Sequence, residues 1–260
     1  MKNDLPEPLR QAEKAAQGIA SRFGITQPEH IQLEDIAFAL GVRVKIDRLD
    51  GATARLVRFG DSGVIRISRT ERNVARIRFS TAHELGHFYL KHGHSLDRLC
   101  NENDMHWYHD TGHESVANAF AGELLLPTSL VKASCDVKRV DLKPIMRIAE
   151  RFQTSLTATA IKFVRLCPEM CAVVLSENAK VKWAYRSEDF WPFIQRGTKL
   201  DARTLAFDFF RGTPLPPEPQ EVEADAWFEV KRGDAVQEVV EHSIAIPSIN
   251  SVLTILWIEP

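Results

Sequence analysis

The chain has 260 residues, of which 44% are hydrophobic and 26% charged, and its formal net charge is −2. Those proportions exclude a disordered chain, and four cysteines (Cys100, Cys135, Cys167, Cys171) without a CxxC pair exclude a disulfide scaffold. No apolar run approaches the ~18 residues of a membrane span, and the first ten residues lack an apolar signal core, so the cytoplasm is the expected compartment.

The small net charge hides an uneven distribution. Residues 55–78 carry seven basic and two acidic side chains, 79–131 carry two and seven, 132–166 carry eight and three, and 167–260 carry nine and fifteen. Seven of the nine histidines fall between His83 and His113, inside the acidic second block. Histidines gathered among carboxylates are a first sign of a metal site.

Leu9, Ala12, Ala16, Ile19 and Phe23 recur at helical spacing and predict a helix over 8–23. A short helix over 33–40 ends at Gly41, a good C-cap residue. Val42, Val44 and Ile46 alternate with Arg43, Lys45 and Asp47, which predicts a strand. Residues 54–59 and 63–68 read as a hairpin around Gly60-Asp61-Ser62-Gly63. A long helix starts at Asn73, a capping residue, and runs to about Lys91. A polar, His-rich loop of about twenty residues follows, and loops of that length are often functional. The next helix covers 112–125 and stops before Pro127. Residues 140–166 read as two helices around a short turn. Beyond Cys167-Pro168 the character changes to strand-like runs at 171–176, 181–186 and 244–257, with a stiff proline-rich loop at 214–219. The expected division is therefore 1–131, a helix-turn-helix-like segment 132–166, and a separate domain 167–260.

The strongest motif is His83-Glu84-Leu85-Gly86-His87, an H-E-x-x-H sequence. Histidines four apart on a helix share one face, so both rings can reach one Zn²⁺, while Glu84, about 100° around the helix, is left to act on a water. A catalytic zinc takes three protein ligands and keeps one position open. A third histidine six residues after His87 is missing, because Gly93 stands there and Leu90 replaces the glycine that pattern requires. A glutamate from a later helix is the alternative, and Glu114 heads the next predicted one. Thr111-x-x-Glu114 is also a capping box, so two roles compete for that carboxylate. Glu123, His106, His109 and His113 are the reserves. Glu84 is the expected proton acceptor and later donor. Tyr108, Tyr185, Arg186 or a loop histidine are the candidates for oxyanion stabiliser.

The basic pair of helices at 140–166, with Phe152-Gln-Thr-Ser155 at the turn, has the outline of a helix-turn-helix. Its second helix offers few base-reading side chains beyond Lys162 and Arg165, so a helical wall of the domain is favoured over DNA binding. The Arg-rich stretch 55–78 reads as a solvated face that could attract an acidic substrate segment. Cys167 and Cys171 read as ordinary buried thiols.

Arg76-Ile-Arg-Phe-Ser-Thr-Ala-His83-Glu-Leu-Gly-His87-Phe-Tyr-Leu, followed by Glu114-Ser-Val-Ala-Asn-Ala-Phe-Ala-Gly-Glu-Leu-Leu-Leu-Pro127, resembles the ImmA/IrrE metallopeptidases, over about residues 8–166. The resemblance implies an α+β chain: a gluzincin-like peptidase domain, the helix-turn-helix-like segment and a C-terminal GAF-like α/β sensor domain. It implies that His83, His87 and Glu114 bind the metal and that Glu84 is catalytic. It also implies a helix-turn-helix transcriptional repressor as protein substrate. With the C-terminal region included, the likeness is to the IrrE radiation-response type, which implies induction of a DNA-damage regulon. Zn²⁺ is the expected ion, and Mn²⁺ or Fe²⁺ can occupy similar ligand sets. The rival readings are a DNA-binding regulator with a structural metal site and a GAF-type sensor of a small ligand. No membrane partner is expected.

Overall fold

The computed structural model describes residues 5–49, 51–91, 112–230 and 236–260. The chain divides into two compact units. The first comprises residues up to Leu130 together with Ala149–Ser155; the second comprises Val131–Ile148 and Leu156–Pro260. Both mix helix and strand, and no helix among the described residues is long and apolar enough to cross a membrane.

In the first unit α1 (Glu7–Arg22) buries Leu9, Ala12, Ala16 and Ile19 of the predicted stripe, while Phe23 is its half-buried C-cap. Each fully buried Leu or Ile side chain contributes about 1.5–3 kcal/mol. Next come α2 (Leu33–Ala39), β1 (Val42–Asp47), β2 (Ala54–Phe59) and β3 (Ser62–Ser68). Gly41, at φ +88°, makes the turn between α2 and β1 in the left-handed region that favours glycine. The strands form a sheet in the order β1-β3-β2, with β1 parallel and β2 antiparallel to the central β3. The parallel β1–β3 pair was not foreseen, since only the hairpin is encoded locally.

Helix α3 (Val74–Tyr89) starts as predicted: the Asn73 side chain accepts the Arg76 backbone N–H at 3.0 Å. It packs on β2 and β3. Its partner α4 (His113–Leu125) is buried from Ser115 through Ala121 and packs on both α1 and α3. A helix apolar on all sides belongs in an interior. The His-rich loop, with His106, Tyr108 and His109, lies outside the described residues.

The helices α5 (Thr128–Cys135), α6 (Leu142–Phe152) and α7 (Leu156–Leu166) follow. Then come β4 (Cys171–Glu177), β5 (Lys180–Arg186), α8 (Leu205–Phe210), β6 (Gln220–Glu223), β7 (Glu238–Ile246) and β8 (Ser251–Trp257). The second unit's sheet is five-stranded and antiparallel, in the order β5-β4-β8-β7-β6. All seven residues of β8 are buried, so this central strand is covered on both faces. One layer of its core gathers Phe190, Trp227, Phe228 and Leu256. Helix α7 packs against β4 and β5 and buries Thr157, Thr159, Ala160, Ile161, Lys162, Phe163 and Val164.

The single run expected at 244–257 is two strands. A one-turn helix at Pro247–Ile249 and Asn250 at φ +48° reverse the chain between β7 and β8. Proline fixes its own φ and removes a ladder donor, and asparagine tolerates the left-handed region. The first half of β7, Glu238–Ser243, and the short α5, α8 and β6 were not foreseen.

Candidate metal centre

The second half of α3 turns inward, from Thr81 through Gly86, and carries His83 at 4% and Glu84 at 7% exposure. One turn separates His83 from His87, and their Nε2 atoms lie 3.0 Å apart with the ring centroids at 4.6 Å. Glu114, in the first turn of α4, aims its carboxylate at the same point. One oxygen is 3.2 Å from His83 Nε2 and the other 3.4 Å from His87 Nε2. A carboxylate is also favoured there by the positive end of the helix dipole.

Two features bring these side chains together. The first is Gly86: a Cβ there would stand 3.0 Å from the Phe120 ring and 3.3 Å from the Ala117 carbonyl oxygen. Glycine therefore lets α3 and α4 approach closely beside the ligand turn. The second is Asn118, whose Oδ1 accepts from Nδ1 of His83 at 2.8 Å. That hydrogen bond fixes the ring with Nε2 turned toward His87 and Glu114. Asn118 was not foreseen, although it lies four residues after Glu114 and so on the same helix face.

The donor chemistry fits a divalent cation. With its proton on Nδ1, a neutral His83 presents a bare Nε2 lone pair toward a carboxylate and a second ring nitrogen. Electron-pair donors facing one point repel unless a cation lies among them. His83, His87 and Glu114 are the one such group among the described residues, with ligand atoms within 4.8 Å of one another. When no ion is bound and protons occupy the two Nε2 atoms in its place, hydrogen bonds from His83 and His87 hold the Glu114 carboxyl well below the usual carboxylate range, against the effect of burial.

The competing roles separate in the structure. Gly112 occupies the N-cap position of α4 with no side-chain cap hydrogen bond, and Thr111 lies outside the described residues. The reserve Glu123 is engaged elsewhere: it accepts from Gln17 at 3.0 Å, from the Thr128 backbone N–H at 3.0 Å and from the Thr128 hydroxyl at 2.8 Å. It ties α1 and α4 to the start of α5. His113 is exposed at the head of α4. Tyr185 sits on β5 in the second unit with its ring 5.4 Å from Trp183, and Arg186 donates to the Trp191 and Pro192 carbonyls.

No curated protein sequence matches the chain. Among solved structures it resembles a Mycobacterium tuberculosis transcriptional regulator, with 17% identity and a TM-score of 0.58 over 98% of this chain and 89% of that one. At that identity the likeness is one of fold. Residues 37–163, which include α3 and α4, match the family model for the M78 peptidases, described as the IrrE N-terminal-like domain. This stretch is thus similar to the IrrE-type metallopeptidase domain, and the match supports the ImmA/IrrE family.

Proposed function

We propose that the chain is a zinc-dependent, site-specific endopeptidase. Its protein substrate would be a helix-turn-helix transcriptional repressor, and its cleavage would induce a radiation or DNA-damage regulon. The observation that carries this reading is the convergence of His83, His87 and Glu114 on one point of a buried helix pair, with Glu84 buried next to His83 in the same helical turn. Similarity to a peptidase family supports the same reading.

A divalent ion held by His83, His87 and Glu114 would supply Lewis acidity and an acidified water. Asn118 orients His83 through Nδ1. The Glu84 carboxylate would receive the attacking water's proton and return it to the leaving amine nitrogen. Tyr185 and Tyr108 remain our candidates for oxyanion stabiliser. The domain scheme 1–131, 132–166 and 167–260 belongs to this proposal, with the last part read as a GAF-like regulatory domain. The five-stranded antiparallel sheet, whose central strand β8 is buried on both faces, supports that reading.

The rival reading, DNA recognition through 140–166, needs a helix face open to base edges. Helix α7 is buried along most of its length, Lys162 included, which argues against it. The test is incubation of the purified chain with a co-encoded helix-turn-helix repressor, with and without chelator. Metal-dependent cleavage that Glu84→Gln abolishes is the expected result. An inactive chain that binds specific duplex DNA at physiological salt overturns the peptidase reading.

A further inference from the structure

The sheet of the first unit has two different faces. Its inner face carries Val42, Ile65 and Ile67, all buried. Its outer face is basic. Lys45 pairs across to Arg66, and Arg66 pairs on its other side with Arg55, so three cations stand in one row across β1, β3 and β2. Like charges directly opposite one another in a sheet are destabilising. Asp47 offsets part of this through its 2.9 Å ion pair with Arg66. Arg43, Lys45 and Arg55 are exposed, and no ion pair to them is present among the described residues.

Among the described residues strand β1 is an edge: it pairs with β3 alone. Its outward side chains Arg43 and Lys45 alternate with Val44 and Ile46 on the opposite face, and Ile46 is 74% exposed. Helix α2, packed against β1, adds Phe38 at 69% exposure. A six-residue edge of this kind presents open backbone donors and acceptors, cations along one side and apolar surface along the other.

We propose that β1 is a docking edge for a partner protein segment in extended conformation with alternating acidic and apolar residues, added as a fourth strand of the sheet. Main-chain hydrogen bonds would hold the segment in register; Arg43, Lys45 and the cations behind them would select acidic side chains on one face. Apolar residues on the other face would cover Val44 and Ile46. The same cations repel a second copy of β1, so the edge discriminates against self-association while attracting an acidic strand. A nucleic acid would use the cations but neither the backbone donors nor Ile46. This inference stands apart from the peptidase reading, because β1 carries none of the proposed metal ligands.

The test uses the full chain and a fluorescein-labelled octapeptide of alternating Glu and Val, followed by anisotropy. Its controls are the Lys-Val counterpart, a version with proline at two central positions, and a single-stranded oligonucleotide of equal charge. The acidic peptide is expected to bind saturably and to weaken with salt. Arg43→Glu with Lys45→Glu is expected to raise its Kd at least tenfold, with an unchanged circular dichroism spectrum. Ile46→Lys is expected to weaken binding as well, which a purely electrostatic surface would not show. The proline peptide and the Lys-Val peptide are expected to fail. Equal binding of the proline peptide, insensitivity to the charge reversal, absence of acidic-peptide binding, or tighter binding of the oligonucleotide overturns the proposal.

Discussion

Glu114 and Glu241 are carboxylates held by several partners, one in each unit, the first half-buried and the second fully buried, and their surroundings give them opposite properties. Glu114 stands between two imidazoles, and their hydrogen bonds lower its pKa. Glu241, on β7 and 0% exposed, meets neutral donors among the described residues. It accepts from the Leu205 and Ala206 backbone N–H groups at 3.0 and 2.7 Å, from Trp227 Nε1 at 2.8 Å and from the Ser243 hydroxyl at 2.8 Å. Burial outweighs these bonds and raises its pKa. A carboxylate that ties α8, a tryptophan and a strand together serves architecture. One that faces two ring nitrogens is arranged to share a cation. Deeper burial and neutral neighbours raise the pKa of the one; partial exposure and two imidazoles lower that of the other.

The sharpest test of that contrast is chemical. Glu84→Gln should keep the bound metal and lower cleavage of the repressor by about 10³-fold. A variant that cleaves at the normal rate refutes the mechanism. Glu241→Leu should destabilise the second unit by about 3 kcal/mol, since several buried donors lose their acceptor, and leave metal stoichiometry unchanged. Denaturant melts and metal analysis of one sample would read both. A melt superimposable on the parent's would mean that Glu241 is not the tie described above.

Asn118→Leu should weaken metal affinity about 10–100-fold through loss of ring orientation, measurable by chelator competition. Unchanged affinity would remove Asn118 from the site. Gly86→Ala should cost about 1–3 kcal/mol by overpacking against Phe120, and a neutral result would show that α3 and α4 separate freely.

The smallest effect is the sign of the pH dependence. Glu241's folded pKa lies above its ordinary 4.5, so its contribution is full below that value and is lost as pH rises through the folded pKa. Glu114's lies below 4.5, so in the metal-free chain its contribution is present above that value and is lost as pH falls through the folded pKa. Melts of metal-free Glu241→Gln and Glu114→Gln, compared with the parent between about pH 2 and pH 8, should show opposite changes in slope, that of Glu114 below pH 4.5 and that of Glu241 above it. Matching changes would erase the contrast.

What could be read from the sequence follows from how local each signal is. The Asn73 cap, the Gly41 turn and the His83–His87 spacing lie within one or two helical turns, and the structure contains all three. Asn118 needed knowledge of which face α4 turns to α3. Glu241 lies in Glu238-Val-Val-Glu-His-Ser243, a stretch too polar to announce a buried strand. Its burial depends on the α8 amides and the Trp227 indole, which arrive from far along the chain. The parallel β1–β3 pair is non-local in the same sense.

Gly86 sets more than the approach of two helices. The Phe120 ring packs against Gly86 and so stands between the turn that carries both histidines and the backbone of the helix that carries Glu114. The opening among the three donors is therefore gauged by aromatic packing behind them rather than by the donors themselves. Ions of different radius would meet the same preset aperture, and the site could select by size without any change in its ligands.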